Sequence, residues 1–307
     1  MKVFILTEGG KNIGFGHITR CRGLYDALKE IGITPLLVVN GDETCKHLLR
    51  NTNYLVIDWL KEKEFCFELI KGATGVIIDS YLTDEPFYLR VSRCCKIPIY
   101  FDDTKRLSYP RGIVVNGAPY AHMLRYPKCK DIKYLLGMRY VSLREEFWEV
   151  PQKTINRTIK NILITFGGMD HYALLNRIVA TLKKNFNFTF IKAGTAETKV
   201  VVAKMKSLIH KADVCISGGG QTTFELARCG VPVIAICLAD NQLFNLRGLS
   251  KLQCLEFAGH SSDINLIKKI KESVRKMTYQ RRREMSNRGP RFVDGLGARK
   301  IAREIIN

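Results

Sequence analysis

The chain has 307 residues, about twice the usual domain length, so two domains are expected. Its 46% hydrophobic and 25% charged residues exclude a disordered chain, and no apolar run approaches the ~18 residues of a membrane span. Forty-nine basic against 29 acidic residues give a net charge of +20, which attracts polyanions, membranes and phosphorylated metabolites alike.

Short apolar strands alternate with amphipathic stretches from end to end. A strand over 2–6 meets Glu8 too early to be a signal-peptide core, so a cytoplasmic protein is expected. A helix over 17–31, a strand over 34–39, a helix over 44–50 and a strand over 54–57 follow. Next come a helix over 62–71, a strand over 75–78, a helix near 84–95, and strands over 98–100 and 112–115. Residues 118–153 are less regular, with Pro119, Pro127 and Pro151.

The alternation then restarts. Strands are expected over 160–165, 188–192, 214–216 and 232–236, with helices over 172–184, 199–210, 221–229 and 241–252. The tail, 297–306, reads as one more helix. Strand–helix alternation argues for parallel sheets covered by helices on both faces. The expected organisation is therefore an amino-terminal α/β domain over 1–150 and a second one over 151–307, closed by the last helix.

The ten cysteines form no Cys-x-x-Cys pair and the six histidines are dispersed. Reduced core thiols and no metal site are expected. The run Arg281-Arg282-Arg283, with Arg288 and Arg291 after it, reads as a solvated helix face. It lacks the aromatic interleaving of a nucleic-acid site, so no nucleic-acid partner is expected.

Three glycine-rich loops follow strands. In the first, Gly9-Gly10-Lys11-Asn12-Ile13-Gly14-Phe15-Gly16 leads straight into His17 at the start of a helix. It is neither a Walker A loop nor a complete dinucleotide fingerprint. Gly14 and Gly16 permit close backbone approach, and the helix start presents unpaired amides to an anion. The same helix end disfavours an imidazolium, which points to a neutral, basic His17.

The second loop is Phe166-Gly167-Gly168-Met169-Asp170. The third, Ser217-Gly218-Gly219-Gly220-Gln221-Thr222-Thr223-Phe224-Glu225, is the most informative. Its glycines free the backbone to wrap a diphosphate. Ser217, Gln221, Thr222 and Thr223 offer neutral donors, and Glu225 can accept two ribose hydroxyls. Asp240, Asn241 and Gln242 follow another strand, where open α/β sheets bind ligands.

Together these features resemble the GT-B architecture, two Rossmann-like α/β domains facing a central cleft. Within it, Ile13-Gly14-Phe15-Gly16-His17-Ile18-x-Arg20 resembles the PseG family, with SpsG-type polysaccharide proteins as close relatives. Further matches are Ile77-Ile78-Asp79-Ser80-Tyr81, Phe101-Asp102-Asp103, Val115-Asn116-Gly117, Leu143-Arg144-Glu145-Glu146-Phe147 and Val293-Asp294-Gly295-Leu296-Gly297-Ala298.

The resemblance implies an enzyme that cleaves UDP from a UDP-activated, 2,4-diacetamido-trideoxy hexose with inversion, on a route to pseudaminic acid or a surface polysaccharide. His17 takes the place of the base that deprotonates water. Ser217, Gly218, Gly219, Gly220, Gln221, Thr222, Thr223 and Glu225 would bind the nucleotide. Gly14, Gly16, Tyr81, Asn116, Gly168, Asn241 and Gln242 would line the sugar and phosphate. Asp79 and Asp102 are secondary candidates. No cofactor or metal is demanded, and a monomer is favoured. The alternatives are a MurG-like inverting glycosyltransferase and a non-catalytic polyanion-binding protein.

Overall fold

Seven strands near the amino terminus pair in parallel: β1 (Val3–Gly9), β2 (Leu36–Gly41), β3 (Tyr54–Val56), β4 (Ala73–Asp79), β5 (Cys95–Phe101), β6 (Gly112–Asn116) and β7 (Ile132–Leu136). Their spatial order is β3-β2-β1-β4-β5-β6-β7. Every residue of β1 is buried, as expected of a parallel strand covered on both faces. Between strands run α1 (Gly16–Glu30), α2 (Lys63–Ile70) and α3 (Glu85–Cys94). On α1 the buried residues Ile18, Cys21, Leu24, Tyr25 and Leu28 recur at three- and four-residue intervals, the stripe that faces the sheet. On α3, Asp84 caps the first turn by accepting from the Phe87 N–H at 3.0 Å.

A second parallel sheet contains β8 (Asn161–Thr165), β9 (Thr189–Ala193), β10 (Val214–Gly218), β11 (Val233–Cys237) and β12 (Glu256–His260), in the order β12-β11-β10-β8-β9. Its helices are α4 (Tyr172–Lys183), α5 (Val202–Lys211), α6 (Thr222–Arg228), α7 (Leu243–Lys251), α8 (Leu266–Lys276) and α9 (Tyr279–Phe292). Ile162, Ile164, Ile216, Ile234 and Ile236 meet Leu175 and Ile178 of α4 and Ile270 of α8 in one core.

This computed structural model describes residues 1–11, 13–167, 171–193 and 202–306. It divides into two units, Met1–Glu145 with Gly295–Asn307, and Glu146–Asp294. The final helix, α10 (Gly297–Arg303), was expected with the second domain but packs on α1 of the first unit. Gly297 lets the start of the helix close on the turn after β7: a Cβ there would lie 2.1 Å from the Val141 carbonyl oxygen. Arg299 ties it to Glu30 at 2.6 and 2.7 Å.

Other expectations need correction. The helix over 44–50 is a short 3-10 turn, Glu43–Cys45, with further turns, held by Asp42 at its start and by Arg22 donating to the Leu48 and Arg50 carbonyls. β7 lies inside the stretch read as irregular, and β12 was not anticipated. Both are edge strands whose polar residues break the apolar signal. Arg282, the middle of the arginine run, is only 1% exposed. Eight of the ten cysteines are buried. No helix among the described residues is long and apolar enough to cross a membrane.

Candidate active site

In the first sheet the strand order reverses between β1 and β4, and such switch points open a crevice at the carboxyl ends of the strands. The loop after β1 is closed on itself: Gly10 and Gly14 exchange hydrogen bonds of 3.0 and 2.8 Å, with Gly14 at φ 86°. The chain then turns into α1 at Gly16. A Cβ on Gly16 would meet nothing within 4 Å among the described residues. His17 follows, and its Nδ1 lies 2.6 Å from Oδ1 of Asp79, the last residue of β4.

Arg20, one turn further along α1, donates to both Asp79 oxygens at 2.5 Å and to both Asp103 oxygens at 2.9 Å. Tyr81 stands edge-on to the His17 ring, 4.6 Å between centroids, and its hydroxyl donates to Asp103. Its backbone N–H donates to Glu8 at 2.8 Å, and the Ser80 hydroxyl donates to the same carboxylate.

Asp79 is almost wholly buried, and the His17 side chain keeps 11% of its surface. Burial opposes a positive charge on His17, but the Asp79 carboxylate outweighs it and lifts the pKa above the ordinary histidine value. The expectation drawn from the helix end took no account of this carboxylate, which makes His17 more basic. Burial also works against the Asp79 anion, yet Arg20 and His17 hold its carboxyl well below the usual carboxylate range. An ionised Asp79 only accepts, so the proton of neutral His17 resides on Nδ1 and Nε2 carries the lone pair.

Two of the sequence candidates serve the scaffold instead. Asn116 is fully buried; its Oδ1 accepts from the Ala118 N–H at 2.9 Å and its Nδ2 donates to the Tyr126 hydroxyl at 3.0 Å. Asp102 holds its own loop, accepting from the N–H groups of Thr104, Lys105 and Arg106 and from Tyr126. Glu8 and Asp103, which hold Tyr81 and Arg20, were not singled out from sequence. Glu8 carried one signal, an acid ending an otherwise apolar strand.

The second sheet reverses its strand order between β8 and β10, and the other two glycine loops follow those strands. Gly168 lies outside the described residues. In the loop after β10, Ser217 and Thr223 are buried and both hydroxyls donate to the Gly218 carbonyl, at 3.0 and 2.9 Å. They brace the loop rather than face a ligand. A Cβ on Gly218 would lie 2.5 Å from Leu238, and one on Gly219 would lie 2.7 Å from Leu246, so packing demands both glycines. At Gly220 a Cβ would meet nothing within 4 Å among the described residues.

Gln242 Oε1 accepts from the N–H groups of Gly219 and Leu238, at 3.1 and 3.0 Å, and locks two loops together. Gln221 and Thr222 are half-buried, Asn241 is exposed and Glu225 is buried. Sequence reasoning missed Thr165, which pairs with Ser217 in register; its buried hydroxyl has no hydrogen-bond partner among the described residues.

The open surface of this loop therefore centres on Gly220, which separates two substitutions the sequence could not rank. If this loop holds the nucleotide, as the sequence leads one to expect, Gly220→Val abolishes detectable UDP binding by calorimetry and leaves the thermal transition close to wild type. Gly219→Val forces Leu246 aside and is expected to destabilise the second unit by about 1–3 kcal/mol. Wild-type UDP affinity in Gly220→Val would move the nucleotide site elsewhere.

Residues 149–301 match the model of the glycosyltransferase family 28 C-terminal domain. A Methanocaldococcus jannaschii protein named only as uncharacterized, MJ1062, is 26% identical over 77% of this chain and 55% of its own length. A Helicobacter pylori protein, named pseudaminic acid cytidylyltransferase and UDP-2,4-diacetamido-2,4,6-trideoxy-beta-L-altropyranose hydrolase, is 24% identical over 82% of this chain and 47% of its own. The chain thus spans about half the length of these two relatives. Bacillus subtilis spore coat polysaccharide biosynthesis protein SpsG is 21% identical over 98% of this chain and 96% of its own.

Among solved structures, Arabidopsis thaliana UGT89C1 complexed with UDP-L-rhamnose superposes with a TM-score of 0.65 at 13% identity, over 99% of this chain and 98% of its own. The Streptomyces glycosyltransferase SsfS6 gives 0.62 at 13%, over the whole of both chains. The chain has the fold of the GT-B glycosyltransferases, carries a glycosyltransferase family 28 C-terminal domain, and has the H. pylori protein and SpsG among its homologues.

Proposed function

We propose that this protein is a nucleotide-sugar hydrolase that releases UDP, with inversion, from a UDP-activated diacetamido-trideoxy hexose in the making of pseudaminic acid or a surface polysaccharide. The observation that carries this reading is the His17–Asp79 pair, whose 2.6 Å contact commits Nδ1 and leaves Nε2 as a base. The hydrolase activity in the name of the H. pylori relative supports the same chemistry.

In this mechanism Nε2 of His17 takes a proton from water as its oxygen bonds to the anomeric carbon. The bond from that carbon to the diphosphate oxygen breaks, and its electron pair leaves with UDP. A diphosphate is stable as an anion, so backbone donors can replace a strong general acid. Gly220, Gln221 and Thr222 supply such donors at the start of α6, where the amides of Gly220 and Thr222 have no acceptor among the described residues. Tyr81 walls the sugar, and Gly14, Gly16, Asn241 and Gln242 border sugar and phosphate.

The glycosyltransferase family 28 domain favours a second reading, a MurG-like transferase that passes the sugar to an acceptor. Incubation with a UDP-sugar in buffer alone separates them. Steady UDP release is the expected result; release that begins only when an acceptor is added would assign a transferase. The same assay in excess EDTA is expected to run at an unchanged rate. Activity lost to chelation and restored by magnesium would overturn the metal-free mechanism.

A further inference from the structure

Arg20 is placed to oppose the histidine beside it. Its Nη2 lies 3.4 Å from His17 Nδ1, and its Nε and Nη2 donate at 2.5 Å to the Asp79 carboxylate that also meets His17. One arginine and one aspartate cancel, so that pair alone would present His17 with no net negative charge. The cation also acts directly against a proton on His17.

Asp103 changes this sum. Both its oxygens accept from Arg20 Nη1 at 2.9 Å. Burial opposes the charge of Arg20, and the attraction of Asp103, ahead of that of Asp79, overcomes it. One arginine then faces two carboxylates, and the cluster keeps a net negative charge next to His17. The guanidinium is also held over the Phe101 ring, 5.1 Å from its centroid.

The other titratable groups near His17 do not do this work. Glu8 of β1 favours the protonated ring more weakly than Asp79 does. Burial and Asp79 push the Cys21 thiol well up, so it stays neutral and donates to Asp79 at 3.6 Å. Burial and Asp103 push the Tyr81 phenol well up, so it stays a donor.

Asp103 has a second grip on the surroundings of the base. It accepts the Tyr81 hydroxyl, and that ring stands edge-on to His17. Its own position is fixed, because the Tyr120 hydroxyl donates to the Asp103 carbonyl at 2.8 Å. The neighbouring Asp102 gathers the N–H groups of the three residues that follow.

We propose that Asp103 is a positioning residue for the base of the proposed reaction. It takes up the charge of Arg20, which leaves the Asp79 carboxylate to orient His17, and it holds the Tyr81 ring against the imidazole. This role rests on His17 being that base.

Nuclear magnetic resonance titration of the six histidines tests it without substrate, the His17 signal being the one lost in His17→Asn. Asp103→Asn removes the charge and keeps the shape. Its His17 ring is expected to titrate at lower pH than in wild type. In acceptor-free UDP release, kcat should fall by about 10-fold with KM within ~3-fold, and the acidic limb should move to lower pH. Asp103→Glu restores the charge and should bring the His17 titration back toward wild type. Tyr81→Phe leaves Arg20 and Asp103 paired and should leave that titration in place. A destabilised Asp103→Asn with an unmoved His17 titration would make Asp103 a scaffold residue and overturn the proposal. So would an equal displacement in Tyr81→Phe. If circular dichroism shows that Asp103→Asn does not fold, Arg20→Gln decides: the two carboxylates then act unopposed, and His17 should titrate at higher pH. A fall there would overturn the proposal too. A wild type that releases no UDP would end the hydrolase reading and leave the titration to decide the role of Asp103.

Discussion

His17→Asn is expected to leave UDP-sugar affinity within a few fold of wild type and to lower turnover by at least ~10²-fold. Asparagine keeps a donor that can reach Asp79 and fills similar space, but it has no basic nitrogen where Nε2 stands. Its loss therefore reports on proton transfer rather than on the frame of the site. Two positions support the reading that the frame survives. Arg20 is anchored independently by both oxygens of Asp103, and Tyr81 is held by Glu8 through its backbone N–H. Single-turnover UDP release and calorimetric titration with UDP separate the outcomes. Turnover equal to wild type would remove His17 as the base. Retained turnover with weak binding would make it a ligand contact.

The parallel sheets were legible in the sequence because strands covered on both faces are continuous apolar runs, as β1, β10 and β11 are. β7 and β12 escaped because an edge strand can be half polar and still pair. The glycine loops were legible for the same reason that switch points bind ligands: each interrupts an apolar strand with residues that fit neither strand nor helix. What each glycine is for was not legible. Gly218, Gly219 and Gly220 are identical in sequence, yet Leu238 and Leu246 exclude a side chain at the first two only. Nor do hydroxyls announce their direction: Ser217 and Thr223 looked like ligand donors and turn instead to the Gly218 carbonyl. The Arg20–Asp103 pair bridges 83 positions of sequence, and only the folded chain brings it together.

Asp79→Asn is expected to change stability and pH dependence together. The carboxylate is buried and accepts from His17 and from two nitrogens of Arg20, so its loss should cost about 3 kcal/mol in thermal or denaturant unfolding. Asp103 continues to hold Arg20, which limits the damage and keeps the variant foldable. The pH profile has a definite sign. In the wild type the Asp79 carboxylate lifts the His17 pKa above its ordinary 6.5, so the base is protonated and turnover falls as pH drops through that raised value. In the variant, burial and the Arg20 cation act on His17 with the weaker pull of Glu8 to oppose them. The acidic limb of turnover should then move to lower pH, while the maximum rate falls because Nδ1 has lost its orienting anion. Stability runs the other way. A raised histidine pKa stabilises the fold fully below the unfolded value, and the contribution is lost as pH rises through the folded one. The stability gap between wild type and Asp79→Asn should therefore be widest between the ordinary carboxylate range and pH 6.5, and narrow as pH rises through the raised His17 value, leaving the contribution of Arg20. An acidic limb that stays in place in the variant would mean that His17 is not the titrating base, whatever happens to the rate.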